Sequence, residues 1–224
     1  THNNLGVTLK AMGRSDDAVK SYREAILLSP DYADAHYNLG NSLKESNRLE
    51  EAETAYLKVI ALQPSHAEAH NNLGITLKGL GKLEYAENSY ERAIALRSDF
   101  LEAYNNLGIT LKELGKLEKA EEVFKQALSL QPDFSEAIYN LGVLLHESGQ
   151  HEKASVLFEN IKEKNSSIYL LKCLYNIGDS ERFYKQLDRL IDQGEVNPTI
   201  GSLTSRANIK FHIRKKNIFV ENPF

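Results

Sequence analysis

Residues 67–98 read AEAHNNLGITLKGLGKLEYAENSYERAIALRS. The apolar residues in the first half of this stretch recur at helical spacing: Ala69, Leu73, Leu77 and Leu80. Gly81 then interrupts the pattern, as glycine commonly does at the end of a helix. A second apolar stripe follows: Leu83, Ala86, Tyr90, Ala93 and Ile94. The stretch therefore predicts two helices that cross closely, because Gly74 and Ala86 are small and the larger residues fill the space around them.

The same pattern recurs along the chain with a period of 34 residues. The tripeptide Asn-Leu-Gly begins at Asn4, Asn38, Asn72, Asn106 and Asn140. An aromatic position keeps the same period: Tyr22, Tyr56, Tyr90, Phe124 and Phe158. A turn position does so too: Gly13, Asn47, Gly81, Gly115 and Gly149. A fixed period of this length predicts stacked helix pairs, with roughly 70% or more of the residues in helices and no sheet.

The segments between the pairs and the C-terminal part give further expectations. Asp31 follows Pro30 and Asp133 follows Pro132, so each aspartate is predicted to cap the next helix. After Gly149 the period slips, and the next turn glycine is Gly178. We expect helices over about 166–177 and 180–193. Asn197-Pro198 then predicts the start of a last helix that runs to about residue 212.

We call each set of residues that recurs at 34-residue steps a column. These columns resemble the tetratricopeptide repeat family, which combines Leu-Gly, a turn glycine, alanine, an aromatic residue and proline in each repeat. The resemblance covers residues 1–168 as five repeats, of which the first is truncated. It implies an all-α, right-handed superhelical solenoid of helix-turn-helix repeats. Residues 169–193 are then a degenerate sixth helical pair, and residues 194–224 a capping helix with a basic tail or connector. One column departs from the family pattern: His2, His36, His70, Tyr104 and Ile138.

The composition argues against several classes of protein. A net charge of −4 gives no reason to expect nucleic acid as a partner. The longest apolar run is about four residues, as in Ala25–Leu28, whereas a membrane span needs roughly 18. One cysteine, Cys173, excludes an internal disulfide. We expect a cytoplasmic protein with protein or peptide partners, and the oligomeric state stays open.

The residues that carry chemistry in other proteins do not form a catalytic pattern here. His36 and His70 occupy equivalent places on successive repeats, about 8–10 Å apart, which is too far for one zinc ion with ligands at about 2 Å. We interpret both as half-buried packing residues. His146 and His151 are predicted surface residues of the turn at Gly149 with no cysteine nearby, and Cys173 a small buried residue. The sequence therefore predicts no enzyme, no metal site and no cofactor.

The remaining candidate is the inner surface, which in the resembling family is lined by the first helix of each repeat. Asparagine is a poor residue for a helix interior, so five in register need an explanation. An amide offers both a donor and an acceptor, and such a row can hold the backbone of an extended peptide. The row resembles the peptide-binding asparagine ladder of the O-linked N-acetylglucosamine transferase repeats. In the alternative interpretation, the amides only bridge neighbouring helices.

The predicted peptide-binding residues come from three columns of the first helices. They are Asn38, Asn72, Asn106 and Asn140, the preceding Asn71 and Asn105, and Lys44, Lys78 and Lys112. Among them, Asn72 and Asn106 are central and are the first choice for binding backbone. The lysines either bind an acidic partner or pair with Glu45, Glu113 and other acidic residues on the same helices.

Two functions follow from these residues. The first is a scaffold that binds an extended peptide in its concave groove. The second is the substrate-recruiting segment of a larger enzyme, either a glycosyltransferase or a 2-oxoglutarate/iron(II) oxygenase. The oxygenase is suggested by residues 198–224, PTIGSLTSRANIKFHIRKKNIFVENPF, which resemble the connector that precedes such a domain in some bacterial repeat proteins.

Overall fold

The computed structural model describes residues 1–161, 164–195 and 198–220. This part of the chain contains 13 helices and no strand, and the helical content is 81%. The all-α fold predicted from the period is therefore confirmed. The chain divides into two compact units, Thr1–Pro132 and Asp133–Phe224.

The first unit consists of four helix pairs. We call the first helix of each pair an A helix and the second a B helix. The A helices are α1 (His2–Ala11), α3 (Ala33–Glu45), α5 (Ala67–Gly79) and α7 (Leu101–Glu113). The B helices are α2 (Ser15–Leu28), α4 (Leu49–Leu62), α6 (Leu83–Leu96) and α8 (Leu117–Leu130).

The second unit begins with α9 (Ser135–Glu147) and α10 (His151–Glu159), and continues with α11 (Lys164–Ile177), α12 (Ser180–Asp192) and α13 (Pro198–Val220). The helices predicted over 166–177 and 180–193 are thus present within two residues of their expected bounds. The last helix extends beyond residue 212, where the apolar period ends. The predicted cap Asn197 and the connector residues 221–224 lie outside the described residues.

The turns between paired helices lie where the sequence predicts them. Every one of these positions has a positive φ, from 56° at Asn47 to 88° at Gly178. In the first turn, the Gly13 N–H donates to the Lys10 carbonyl and the Arg14 N–H to the Leu9 carbonyl. This is the Schellman pattern, in which the left-handed residue lets the chain satisfy the last carbonyls of the helix. Asn47 shows that asparagine also fills this position, as its short polar side chain tolerates the left-handed region.

The predicted aspartate caps are wrong. The residue at the N-terminal cap of α3 is Tyr32 and that of α9 is Phe134, and neither donates or accepts a capping bond through its side chain. Asp31 lies one residue too early to cap α3, and its carboxylate accepts instead from the Lys58 ammonium at 3.2 Å. The first turn of α3 is closed by the backbone, since Ala35 N–H donates to the Tyr32 carbonyl.

The core of each repeat is an aromatic ring packed against a glycine of the preceding helix. The five rings are at most 1% exposed: Tyr22, Tyr56, Tyr90, Phe124 and Phe158. A Cβ atom placed on Gly108 would lie 2.5 Å from a ring carbon of Phe124, and one on Gly74 would lie 2.6 Å from Tyr90. The glycine of Asn-Leu-Gly is therefore required because the ring takes the space of its side chain.

Ala120 on α8 is fully buried, so an enlarged side chain there has no free volume to enter. Ala120→Leu is expected to lower the free energy of unfolding by about 1–3 kcal/mol through overpacking. Because repeats couple mainly to their neighbours, hydrogen exchange should accelerate most in α7 and α8. The same acceleration along the whole chain would contradict this local coupling.

Candidate functional site

The A helices form the inner side of the first unit. Consecutive A helices contact one another, α1 with α3, α3 with α5 and α5 with α7. Within the described residues, no two B helices approach each other to a comparable extent. Stacked pairs that touch more closely on one side curve toward that side, so the A helices lie on the concave face of this unit. We call this surface the inner face.

Asn38, Asn72 and Asn106 are half-buried, and each donates a hydrogen bond to the preceding A helix. The Asn38 amide on α3 donates to Asn3 Oδ1 on α1 at 3.0 Å. Asn106 on α7 donates to Asn71 Oδ1 on α5 at 3.2 Å. These bonds are the helix bridges of the alternative interpretation, so the row has at least a structural role.

The Asn72 side chain forms three hydrogen bonds. Its Nδ2 donates to the Tyr37 hydroxyl and to Asn41 Oδ1, both at 3.1 Å, and its Oδ1 accepts from the Lys44 ammonium at 2.9 Å. Both amide hydrogens are thus engaged within the protein. Among the described residues, Asn38 and Asn106 each donate one amide hydrogen, which leaves each side chain a second amide hydrogen and its carbonyl oxygen.

The remaining asparagines differ in their surroundings. Asn71 is buried, and its amide donates to Glu102 Oε1 at 3.2 Å while its carbonyl accepts from Asn106. Asn105 is half-buried on α7 and has partners of its own. Asn140 is half-buried on α9, in the second unit, and is also partnered. Asn71 therefore belongs to the packing of the A helices, whereas Asn105 on α7 is partly exposed.

Lys78 of the lysine column, and Lys10 at the equivalent position of the first repeat, each form an ion pair with the next A helix. Lys10 lies 2.7 Å from Glu45, and Lys78 lies 2.8 Å from Glu113, in each case 35 residues further along. This geometry agrees with the interpretation that the lysines pair with Glu45 and Glu113. The acids are, however, on the following A helix rather than on the helix of the lysine.

Lys44 differs from Lys10 and Lys78 because the position 35 residues after it is Gly79. Lys44 is half-buried, and within the described residues no carboxylate lies within ion-pair distance of its ammonium. Burial lowers the pKa of the Lys44 ammonium, with Glu102 opposing that shift. The inner face thus holds a partly desolvated positive charge whose polar contact is the Asn72 carbonyl. Lys112, one repeat later, is half-buried and has partners.

The histidines predicted to be packing residues in the first unit are half-buried. The Nε2 of His36 lies 2.8 Å from the Pro30 carbonyl, and that of His70 lies 3.1 Å from the Pro64 carbonyl. Each ring therefore ties an A helix to the loop before it. Burial lowers the pKa of His70, which favours the neutral ring.

The prediction that His146 and His151 have no cysteine nearby is wrong. In the second unit, Cys173 Sγ lies 3.3 Å from His146 Nδ1, and His151 Nδ1 lies 3.2 Å from the same nitrogen. The three residues come from α9, α10 and α11, because α11 packs against both preceding helices. The sequence could not show this, since the 34-residue period is lost before α11.

Burial disfavours the charged forms of Cys173 and His146. Cys173 is fully buried, and burial raises the pKa of its thiol to about 12. Burial, together with His151 and Lys172, lowers the pKa of His146. A cysteine nucleophile requires a thiolate, so this environment does not favour nucleophilic catalysis by Cys173.

Within the described residues, no helix combines the length and apolar character needed to cross a membrane. No curated protein matches this sequence.

Solved structures resemble the chain over most of its length. A Pseudomonas aeruginosa structure, pilF, is 19% identical, with a TM-score of 0.74, and covers 92% of this chain and 96% of its own. MamA of Desulfovibrio magneticus RS-1 is 23% identical, with a TM-score of 0.67, and covers 70% and 89%. YrrB, described as a TPR protein with an unusual peptide-binding site, is 24% identical, with a TM-score of 0.62, and covers 71% and 82%. At these identities the likeness concerns the fold.

The stacked helix pairs and their inner face define an all-α helical repeat solenoid, a class of protein-interaction scaffolds. Family models described as TPR repeat or tetratricopeptide repeat match residues 6–46, 40–81, 67–100, 101–134 and 123–154. The chain belongs to the tetratricopeptide repeat family. Members of this family are typically non-catalytic, and their fold indicates protein or peptide partners.

Proposed function

We propose that the inner face of the first unit binds an extended segment of a partner protein and holds an acidic group of that segment at Lys44. The observation that carries this proposal is the missing acid at residue 79. Lys10 and Lys78 are neutralised by Glu45 and Glu113, whereas Lys44 faces Gly79 at the equivalent place. A half-buried ammonium is stabilised by a nearby anion, because the anion offsets the loss of hydration. A carboxylate of the partner supplies that anion.

Asn72 and Tyr37 position Lys44 for this contact. The Asn72 carbonyl accepts from the ammonium, and the Tyr37 hydroxyl and Asn41 hold the Asn72 amide in place. A preorganised group loses less freedom on binding than a flexible lysine does. Asn72 therefore contributes mainly by orienting the lysine.

Asn38 and Asn106 bind the backbone of the partner segment. Each retains one amide hydrogen and one carbonyl oxygen beyond its bond to the neighbouring A helix. Helices pack about 8–10 Å apart, and an extended chain rises about 3.3 Å per residue, so successive repeats meet about every third residue of the segment. The contact uses main-chain groups and is therefore tolerant of the segment's side chains. The same columns include Asn105, Lys78 and Lys112, which we place at the edges of this surface. Asn140 belongs to the second unit, and its role in peptide binding stays a prediction.

Two observations support a segment rather than a folded partner surface. The inner face is concave, and its polar side chains follow a line across consecutive A helices. The structure of YrrB is described as having a peptide-binding site in the same fold, with a likeness that extends over 71% of this chain.

A random peptide library selected on the intact chain tests the proposal. We expect the bound peptides to be enriched in aspartate and glutamate, and Lys44→Ala to weaken them about 10- to 150-fold, as expected for losing a hydrogen bond to a charged group. Selected peptides without acidic residues, or unchanged affinity for Lys44→Ala by calorimetry, would contradict the site.

The two central asparagines should respond differently. Asn106→Ala is expected to weaken the same peptide about 2- to 13-fold through the loss of a neutral hydrogen bond, and Asn72→Ala to weaken it through the displaced lysine. In the Lys44→Ala background, Asn72→Ala should cost no further affinity, whereas Asn106→Ala should still do so. Melting temperatures of all variants separate these effects from loss of the helix bridges. A lower melting temperature with unchanged affinity would show that the asparagines are only structural.

A further inference from the structure

The cluster of His146, His151 and Cys173 lies in the second unit. Three side chains that commonly bind metals converge there from three helices, and their ligand atoms all lie within 4.8 Å of one another. His146 is near the end of α9, His151 is the first residue of α10, and Cys173 lies in α11. Both histidines are half-buried and the cysteine is buried.

The hydrogen bonds within the cluster leave one polar group poorly satisfied. Both short contacts, with His151 and with Cys173, end on the same atom, His146 Nδ1. A ring nitrogen has either one hydrogen or one lone pair, so it forms one good hydrogen bond at a time. A metal ion placed among the three atoms would instead use a lone pair from each.

The distances fit a tetrahedral zinc ion. With Zn–N at about 2.0–2.1 Å and Zn–S at about 2.3 Å, ligand atoms of a tetrahedron lie about 3.3–3.6 Å apart. The observed N···N distance is 3.2 Å and the observed N···S distance is 3.3 Å. The third separation, between His151 and Cys173, is at most 4.8 Å, so binding requires these two side chains to move closer together.

We propose that His146, His151 and Cys173 form a zinc-binding site with one coordination position open to solvent. Imidazole and thiolate ligands suit zinc, whereas magnesium and calcium require oxygen ligands. On binding, sulfur forms a bond to the metal and the thiol proton leaves to solvent. Three protein ligands leave the fourth position to water.

The surroundings provide access and a means to hold the ligands. His146 lines an open pocket of about 520 Å³ together with Lys172, Tyr175 and Arg206, among others, and an ion and water can enter through it. The His146 ring contacts Tyr169 edge-on, with ring centroids 5.6 Å apart, which fixes its orientation. The Lys172 ammonium lies over the Tyr169 ring, 4.6 Å from its centroid.

The test is titration of the intact, tag-free chain with Zn²⁺ and, separately, with Co²⁺ under reducing conditions. We expect one tightly bound zinc ion per chain, measured by competition with a chelator. Cobalt should give the intense visible bands of a tetrahedral site and a thiolate-to-cobalt charge-transfer band in the near ultraviolet. A hundredfold excess over the dissociation constant should raise Tm by roughly 5–10 °C.

Three variants decide the assignment. Cys173→Ala and His151→Gln should each weaken zinc at least about 100-fold, more than the loss of an outer partner of a ligand costs. His36→Gln, a half-buried histidine of the first unit, is the matched control and should leave zinc affinity unchanged. If Cys173→Ala does not fold, the zinc affinity of His151→Gln still tests the site, because His151 is only half-buried. A cobalt spectrum without the thiolate band, or zinc affinity unaffected by His151→Gln, would overturn the proposal and leave a hydrogen-bonded cluster.

Discussion

Phe124→Ala is expected to lower the free energy of unfolding by about 3–5 kcal/mol, the range for removing a fully buried aromatic ring. Phe124 on α8 is 0% exposed, and its ring occupies the space where Gly108 of α7 would carry a side chain. Ala120 and Ala127, one turn before and one turn after Phe124 on α8, are also fully buried, so the cavity would lie inside the packed core. Urea unfolding followed by circular dichroism measures the change.

Leu130→Ala is the matched control for this prediction. Leu130 is the last residue of the same helix and is 47% exposed, so its truncation should cost about 1 kcal/mol or less. Similar losses for the two variants would show that the ring is not a determinant of the repeat. The partner variant Gly108→Ala, which forces a Cβ against the ring, should be less harmful in the Phe124→Ala background than in the native chain.

The packing of the repeats could be predicted from the sequence because the residues that form it recur with one fixed period. Each aromatic residue, its glycine and its turn residue recur at 34-residue steps, so a contact recognised in one repeat applies to the others. The helix bounds in the first unit and the left-handed turns follow from this repetition. The predicted capping by Asp31 failed because it depends on a shift of one residue, which a periodic pattern does not resolve.

The polar sites were less predictable from the sequence. They depend on which side chains meet between helices, and a recurring residue type does not show this. The asparagine row was visible in the sequence, but its bonds to Tyr37, Asn3 and Asn71 depend on the spacing of the A helices. The cluster around His146 was missed because Cys173 lies beyond the point where the period is lost. In contrast, the unneutralised Lys44 was detectable: comparison of residues 45, 79 and 113 shows Glu, Gly and Glu.

Placing an acid at residue 79 should neutralise Lys44. Gly79→Glu is expected to weaken an acidic peptide bound at the inner face about 10- to 150-fold without altering Lys44 itself. Residue 79 ends α5 as Glu45 ends α3 and Glu113 ends α7, so the new carboxylate should reach Lys44 as those two reach Lys10 and Lys78. The lysine is then occupied, and the added negative charge repels the carboxylate of the peptide. Calorimetry with a peptide selected on the native chain measures the loss.

Gly79→Gln separates charge from size. A Cβ at residue 79 would lie 2.8 Å from Leu49 Cδ1, the end of a flexible side chain. One repeat later, α6 begins with Leu83 and α7 ends with Glu113, so the repeat accommodates a glutamate at the position equivalent to residue 79. If charge is the cause, Gly79→Gln should bind the peptide nearly as well as the native chain, and higher salt should reduce the difference between the two variants. Equal losses for glutamine and glutamate would mean that the side chain only blocks the surface, and full binding by Gly79→Glu would remove Lys44 from the site.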